Sequence, residues 1–406
     1  MLLKLRPSLK CNWTNYVYFV VFLFCSNAAF SQSTIAAYST EIPKFSFSLG
    51  AQPGIILPTS AFVRGRNANR EPMWFYEGVY ARMSFGTSGK KAWQQIYNNP
   101  GFGFGAYAAN LHNKTELGYP YAAFGFIDIP VVLFKKQAAV FEFGVGLAYN
   151  WKYYSPVNPW NMSFGMPASV FLDFSLSTEY KLNANTRLQA GISSTHYSNG
   201  GLKQPNHGIT TFTPKLSIFF DSKQKLKQAT AIELEEFKPD YEFEISVLSG
   251  IKNVLINLPD AGFNDKYNGR YFSLFGATAA VYKNFSRKGK FGIGLNATFN
   301  SASNLSFYWL NEHIITHSPG FSYQFHASIF PSYEISMHRA AAFIQPAIYI
   351  FKRNLTDKSG WLYGRTGIRY YVFKNMYVGV NLKMVEGFFP DYLEWNIGVG
   401  RIKFKK

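Results

Sequence analysis

Apolar residues recur at every second position over long parts of this chain, and this pattern restricts its fold more than any other feature. In residues 141–150 the odd positions are apolar and the even positions are small or polar. The same period of two recurs at 170–176 and at 291–299. Because successive side chains of a β-strand point to opposite faces, each stretch predicts a strand with one apolar face. A soluble β-sandwich would show the same alternation.

The composition excludes several other classes. The chain has 406 residues, of which 18% are aromatic, only 16% are charged and 33 are glycine. A disordered chain would have more charge and fewer aromatic residues, and a helical bundle would have less glycine and more Glu and Lys. The two cysteines are too few for a disulfide scaffold. An all-β protein therefore remains.

Residues 1–31 predict a secretory signal peptide. Basic residues precede the apolar run 16–24, which is too short to span a bilayer. Ala29 and Ser31 are small residues at the two positions that determine cleavage. Both cysteines would leave with this segment, so the mature chain would contain no thiol. That excludes cysteine nucleophiles, thiolate metal sites and disulfides.

Loop lengths distinguish a membrane barrel from a sandwich. The connections 135–138 and 182–185 are short, whereas 58–74, 152–164 and 199–209 are long. The predicted strands are 45–57, 75–86, 101–111, 119–134, 139–151, 165–181, 186–198, 210–221, 241–252, 270–285, 290–301, 319–336, 340–352, 361–372, 376–386 and 391–404. Short turns on one side, long loops on the other and an even strand number are typical of a transmembrane antiparallel β-barrel of the outer membrane.

The chain is predicted to consist of two sets of about eight strands. Residues 32–222 form the first set and 241–406 the second, and the charged stretch 223–240 between them lacks alternation and predicts a periplasmic linker. Two eight-stranded barrels or one sixteen-stranded barrel both fit, because they need the same strands. The stretch 87–100 is an exception, since it is long where a short turn is due.

The charge balance predicts an anionic partner. The formal net charge is +18, and a secreted chain with this surplus is expected to meet lipid phosphates of a membrane, not nucleic acid. The mature sequence contains no zinc motif, P-loop or dinucleotide-binding loop, so no metal or organic cofactor is expected. Nothing in the sequence indicates the oligomeric state.

Acidic residues fall within several predicted strands. By the phase of the alternation, Glu142, Asp173 and Glu179 point to the inside of the barrel. Small barrels fill their interior with polar side chains, so we predict ion pairs between these acids and Arg or Lys residues.

The predicted strand 186–198 ends in an unusual polar pair. Leu188 and Ile192 mark its lipid-facing side, and His196 and Ser198 have the same parity. Residues i and i+2 of a strand are about 6 to 7 Å apart, so an imidazole can reach a serine hydroxyl. Ser198 is then a candidate nucleophile with His196 as its general base.

Backbone amides of the next three residues, Asn199, Gly200 and Gly201, are candidate oxyanion donors. Alternatively, the His and Ser are simply interfacial polar residues that precede an Asn-Gly turn.

Residues 196–208, HYSNGGLKQPNHG, resemble the signature of the outer-membrane lipid A 3-O-deacylase (PagL) family. The resemblance implies an eight-stranded barrel over about 45–221 with an outward-facing Ser-His-Glu triad near the outer leaflet. It assigns the base to His196 and the nucleophile to Ser198, and it places Asn199 in the oxyanion region.

One position departs from the family pattern, because Thr210 stands where the family has its Glu. A threonine accepts a hydrogen bond from the imidazole but brings no negative charge. In the second half, Met384 and Glu386 occupy the positions aligned with His196 and Ser198, so that half is predicted to be inactive.

The sequence therefore predicts an outer-membrane carboxylic ester hydrolase that removes an acyl chain from lipid A of lipopolysaccharide. Basic loop residues are either phosphate ligands or a solvated surface; they are Arg64, Arg66, Arg70 and Lys203. The alternative is a non-catalytic barrel, a porin or structural protein that retains the motif.

Overall fold

The computed structural model describes residues 42–133, 137–227, 229–256, 261–305, 320–353, 360–385 and 389–404. The predicted signal peptide lies outside these ranges. The described chain folds into two closed antiparallel barrels of eight strands each, joined in sequence order.

The barrel strands agree closely with the alternation in the sequence. The first barrel comprises β1 (Phe45–Ile56), β2 (Phe75–Phe85), β3 (Gly101–Asn110), β4 (Gly118–Leu133), β5 (Gln137–Trp151), β6 (Ser169–Lys181), β7 (Thr186–Ser198) and β8 (Ile209–Asp221). The second comprises β9 (Tyr241–Asn253), β10 (Tyr271–Asn284), β11 (Gly289–Asn300), β12 (Phe325–Met337), β13 (Ala340–Phe351), β14 (Leu362–Tyr371), β15 (Met376–Val385) and β16 (Phe389–Lys403).

Short helices occur only in connections of the described chain. They are α1 (Ala92–Ile96), α2 (Ala261–Tyr267), a 3-10 turn (Ser301–Asn304) and α3 (Phe321–Gln324). No helix within the described ranges has the length and apolar character needed to cross a membrane.

Each barrel closes on itself. In the first, β1 pairs with β8 from Ser46 opposite Asp221 to Ile56 opposite Thr211. In the second, β9 pairs with β16. Of the two arrangements that the sequence allowed, the chain therefore adopts two eight-stranded barrels. Closure leaves no strand edge unpaired, which a sheet in hydrocarbon requires.

Two predicted strand starts were wrong. Strand β6 begins at Ser169, not at 165, because Gly165 lies against the backbone of Gln204 instead of joining the ladder; the preceding Phe164 is fully buried and stacks on Trp151 at 3.9 Å. Strand β12 begins at Phe325, not at 319, because α3 precedes it. The long exception at 87–100 contains α1.

The outer face of both barrels is apolar. Along β7, for example, Leu188 and Ile192 are exposed, whereas Gln189 and Ser193, which have the opposite parity, are buried. Exposed apolar side chains recur on other strands, among them Leu49, Val79, Phe104, Leu147, Leu216, Val247, Phe275, Ile293, Ile368 and Ile397. A continuous apolar exterior over polar interior positions is the surface of a barrel that spans a membrane.

Ion pairs fill the interior of the first barrel, as predicted. Glu142 binds Arg82, and its other oxygen lies 2.6 Å from Lys215 Nζ. Lys215 Nζ is also 3.7 Å from Asp173, and Arg187 binds Glu179. These charges are satisfied by each other, which is the condition for burying them.

The second barrel has its own interior charge network. Arg369 contacts Glu244 at 2.6 Å and Glu334 at 2.7 Å, and Lys290 lies 3.0 Å from Glu334. Arg365 pairs with Glu394 at 3.1 Å. Each barrel therefore has a packed polar interior.

Long connections gather at one end of each barrel. We call this the loop end; it includes 57–74, 152–168 and 199–208 in the first barrel and 254–270 in the second. The opposite, turn end carries the two-residue strands Ile42–Pro43 and Lys225–Leu226, which pair with each other where the chain leaves the first barrel.

Replacing Glu142 with Gln should destabilise the first barrel by about 3–5 kcal/mol, because Arg82 and Lys215 would remain buried without a counter-charge. The free energy of unfolding in detergent, measured by urea titration, tests this expectation. The matched control is Glu77→Gln, whose exposed pair with His112 at 3.4 Å should be worth less than about 1 kcal/mol. Equal effects of the two substitutions would contradict the account of the interior.

Candidate active site

The hairpin of β7 and β8 brings the predicted site residues together at the loop end. His196 lies directly opposite Thr210 in the ladder, and its Nδ1 is 2.8 Å from Thr210 Oγ1. Tyr197, between His196 and Ser198, points into the interior, where its hydroxyl is 2.8 Å from that of Tyr76. The hydrogen bond between His196 and Thr210 that the sequence allowed is therefore formed.

Ser198 is the last residue of β7 and is only 5% exposed. A Cβ atom placed on Gly208 would lie 3.1 Å from His196 Cε1 and 3.2 Å from Ser198 Cβ. His196 and Ser198 therefore both lie against Gly208, where a larger residue would contact their side chains. Over the described ranges, no hydrogen bond joins the Ser198 hydroxyl to the His196 ring.

Asn199 organises the loop that follows Ser198. Its backbone N–H donates to Asn206 Oδ1 at 2.8 Å, its Nδ2 donates to the Lys203 carbonyl at 2.6 Å, and its Oδ1 accepts from the Gly201 N–H at 3.0 Å. Two of the three amides predicted as oxyanion donors thus already have acceptors. Within the part of the chain that the structure describes, the Gly200 N–H donates to none.

Asn206 is a residue to which sequence reasoning gave no role. It is 2% exposed, and its Nδ2 is buried without a hydrogen-bond partner among the described residues. The only sequence signal for it was its place in the Pro-Asn-His-Gly run of 205–208. Because Asn206 Oδ1 accepts from the Asn199 N–H, this buried donor group belongs to the loop that follows Ser198.

Neighbouring loop segments fix the hairpin in place. The His207 N–H donates to the Met162 carbonyl at 3.1 Å, and the Gly208 N–H donates to the Ser163 carbonyl at 3.2 Å. Gly208 has a φ of 64°. The connection between β5 and β6 therefore supports the turn that carries the site.

The interior acids are engaged elsewhere. Asp173 accepts hydrogen bonds from the hydroxyls of Ser193 and Thr195, both at 2.7 Å, and Glu179 binds Arg187. His196 has Thr210 as its partner. Among the described residues, no group of three or more His, Cys, Asp or Glu side chains is placed to hold a metal ion.

The basic loop residues are distributed over the loop end. Arg66 and Arg70 line a cavity of about 320 Å³ together with Trp160. Arg64 donates to the Pro58 carbonyl at 3.0 Å, and Lys203 lies in the loop that follows Ser198.

In the second barrel, Met384, which is aligned with His196, is buried, and Glu386 lies outside the described residues.

Replacing Gly208 with Ala should lower the free energy of unfolding more than replacing Gly269 with Ala. Both glycines have positive φ, 64° and 74°, so each alanine costs about 1–2 kcal/mol of backbone strain. Only the Gly208 side chain would also meet neighbours, at 2.7 to 3.2 Å, because nothing in the described chain lies within 4 Å of that position on Gly269. Urea titrations in detergent measure the difference. Equal losses would show that the space beside His196 is not tight.

Two family models match most of the chain. Residues 77–218 match the model described as Lipid A 3-O-deacylase (PagL), and residues 241–406 match the model described as Acyloxyacyl hydrolase, C-terminal domain. No curated protein has a detectable sequence match to the chain.

Similar solved structures include the outer membrane enzyme PagL, with 18% identity over 42% of this chain and 97% of that one and a TM-score of 0.29. The COG4313 outer membrane channel from Pseudomonas putida F1 has 10% identity over 92% of this chain and all of that one, with a TM-score of 0.19. TM-scores this low add nothing to the assignment. The assignment rests on the two family models, which match in order along the two barrels: residues 77–218 belong to the lipid A 3-O-deacylase (PagL) family, and residues 241–406 belong to the acyloxyacyl hydrolase C-terminal domain family.

Proposed function

We propose that this protein hydrolyses an acyl ester of lipid A, with Ser198 as nucleophile and His196 as general base. The observation that carries the proposal is the hydrogen bond between His196 Nδ1 and Thr210 Oγ1, beside the nearly buried Ser198. With its proton on Nδ1 and donated to the Thr210 hydroxyl, the ring keeps a free lone pair on Nε2. That lone pair is what a general base needs.

The reaction follows the acyl-enzyme route. His196 Nε2 takes the hydroxyl proton of Ser198 while Oγ attacks the ester carbonyl carbon. The tetrahedral intermediate collapses, the carbon–oxygen bond to the sugar breaks, and the leaving oxygen takes the proton from His196. Water, deprotonated by the same ring, then releases the fatty acid and restores Ser198.

Negative charge on the carbonyl oxygen needs hydrogen-bond donors. The Asn199 and Gly201 amides serve the loop itself, so we assign this role to the Gly200 N–H and the Asn206 Nδ2. In this assignment Asn199 supports the loop and orients these donors. A preorganised pair of donors is worth several powers of ten in rate.

Thr210 would orient the ring without supplying charge. A triad carboxylate both fixes the imidazole tautomer and stabilises the imidazolium that forms in the transition state. The Thr210 hydroxyl performs the first of these tasks through its 2.8 Å contact. We therefore expect a working but slow enzyme.

We infer that the site faces the lipid. His196, Ser198 and Thr210 have the parity of the exposed residues Ile192 and Phe212 on the same two strands. A lipid substrate that diffuses in the membrane plane could then keep its acyl chains in hydrocarbon while the ester reaches the rim. Arg66 and Arg70, beside their cavity at the loop end, are suited to bind its phosphates.

The second candidate function is a non-catalytic barrel that retains the motif. Thr210 in place of a carboxylate favours it, because the missing charge is the main departure from the family pattern. Within this alternative, a structural role is favoured over a porin, since ion pairs fill the interior of both barrels where a porin would have an open channel.

Ser198→Ala should abolish deacylation, and His196→Ala should reduce it by about 10²- to 10⁴-fold, the usual contribution of a general base. The measurement is the mass spectrum of lipid A from cells that express each variant, where wild-type protein should remove one acyl mass. Ser194→Ala is the matched control, because Ser194 has the same parity on β7 but no assigned role. Loss of the activity in the control, or its persistence in Ser198→Ala, would contradict the assignment.

Thr210→Glu should raise the deacylation rate, because it places a charge beside the imidazolium on the strand position opposite His196. Removing a triad carboxylate costs about 10⁴-fold, which sets the upper limit of the gain. Thr210→Val should lower the rate, since it has the same shape but accepts no hydrogen bond. Rates are compared on purified lipid A in detergent. If neither wild type nor Thr210→Glu deacylates any lipid A tested, the non-catalytic barrel is the correct account.

A further inference from the structure

Residues 199–208, which we call the site loop, connect β7 to β8 in the first barrel and contact the second barrel. The Gln204 N–H donates to Asn253 Oδ1 at 2.8 Å. Asn253 is the last residue of β9 and is 2% exposed, and its Nδ2 donates to the carbonyls of Gly269 and Arg270 at 2.8 and 3.2 Å. This one side chain is thus fixed to its own barrel and also binds the loop of the other.

The two glycines of the site loop lie directly against the start of β16. A Cβ atom on Gly200 would be 2.8 Å from the Leu393 side chain, and one on Gly201 would be 2.8 Å from the Asp391 carbonyl oxygen. Their φ values are 65° and 83°. Glycine at both positions therefore permits a backbone approach to the second barrel that no other residue would allow without displacement.

A third contact closes the far side of the loop. The His207 ring meets the edge of Phe389, the first residue of β16, with ring centroids 6.2 Å apart. Burial lowers the pKa of His207, so the ring is neutral near pH 7 and packs against an aromatic neighbour without a charge to desolvate.

The surface that receives the loop is itself braced. Lys252 Nζ lies 2.5 Å from Asp391 Oδ1, which ties the end of β9 to the start of β16. Lys383 Nζ approaches the other oxygen of Asp391 at 3.7 Å. We call the surface formed by Asn253, Phe389, Asp391 and Leu393 the platform. The ladder, in which Leu393 lies opposite Ile251, and the Lys252–Asp391 ion pair join this surface to the rest of the second barrel.

We propose that the second barrel is part of the site in the first: Asn253 and Leu393 are positioning residues that hold residues 199–204 in the reactive arrangement over Ser198. The inference rests on the proposed esterase function. The loop carries the Gly200 N–H that we assign to the oxyanion, and Gly200 is the residue that Leu393 contacts. A displacement of about 1 Å at a reacting group can cost about 10²-fold in rate.

The second barrel has Met384 at the position aligned with His196, and the positioning role explains why such a barrel accompanies the first barrel. It supplies no reacting group. It supplies a fixed surface against which a glycine-rich loop, flexible by itself, becomes ordered.

Asn253→Ala and Leu393→Ala in the full-length protein should each lower kcat for lipid A deacylation by about 10- to 100-fold and change KM much less, because ground-state binding of the lipid does not use the Gly200 N–H. Leu393→Met, which keeps an apolar side chain of similar volume, should retain most of kcat. The matched controls are Asn300→Ala, which removes an asparagine cap at the same end of the second barrel, and Ile397→Ala, which removes an exposed apolar side chain of β16. Heat-modifiable migration on gels verifies that every variant is folded.

A second readout does not depend on activity. The Gly200→Cys, Leu393→Cys double variant should form a disulfide spontaneously, since the positions are close enough for the 3.5–4.5 Å Cβ separation that such a bond needs. The Gly200→Cys, Ile397→Cys pair should not. Absence of the first disulfide in folded protein would overturn the contact.

The outcomes separate the two proposals. Full kcat in both Asn253→Ala and Leu393→Ala, with an active wild type, would reject the positioning role and leave the esterase proposal intact. An inactive wild type with a formed disulfide would reject the esterase, and the positioning role with it, while leaving the contact between the barrels in place.

Discussion

Every backbone amide within hydrocarbon must find its hydrogen-bond partner inside the protein, and the structure depends on this constraint. The chain meets it twice, by pairing β1 with β8 and β9 with β16. Once a barrel of eight strands is closed, its interior is too narrow for a channel and must be filled by side chains. The ion pairs around Glu142 and Glu334 follow from that geometry, because inward positions need polar groups that satisfy each other.

The same constraint restricts reactive side chains to the rim of the barrel. Below it, outward positions must be apolar and inward positions must be packed. At the loop end of β7 and β8, Tyr197 anchors the strand on the inside through Tyr76, while His196 and Thr210 pair on the other face. Burying a neutral threonine beside His196 costs less free energy than burying a carboxylate, because the threonine needs no counter-charge and no water. The proposed reaction would be slower as a result, since the imidazolium would form without a carboxylate beside it.

Much of this arrangement was predictable from local pattern. Alternation with a period of two gave nearly all strand bounds, and parity placed Glu142 inside and His196 opposite Thr210. Closure was not predictable, because a sixteen-stranded barrel uses the same alternation. Residues 165–168 were assigned to a strand because the local pattern does not reveal that Gly165 lies against the backbone of Gln204.

The contacts of the site loop were also beyond the sequence. The buried Asn206 amide and the hydrogen bond from Gln204 to Asn253 join segments that no periodicity relates. The sequence predicts a flexible turn at Gly200 and Gly201, whereas in the fold both glycines lie against Leu393 and Asp391 of the second barrel.

The central claim is that Ser198 is an activated nucleophile, and covalent labelling tests it most directly. Detergent-purified protein would be treated with an alkyl fluorophosphonate, which reacts with serines that a neighbouring base activates, and the modified residue would be identified by peptide mass spectrometry. The account predicts one adduct, on Ser198, that is lost in His196→Ala. An unlabelled Ser198 in protein that deacylates lipid A, or an adduct on a different serine, would contradict it.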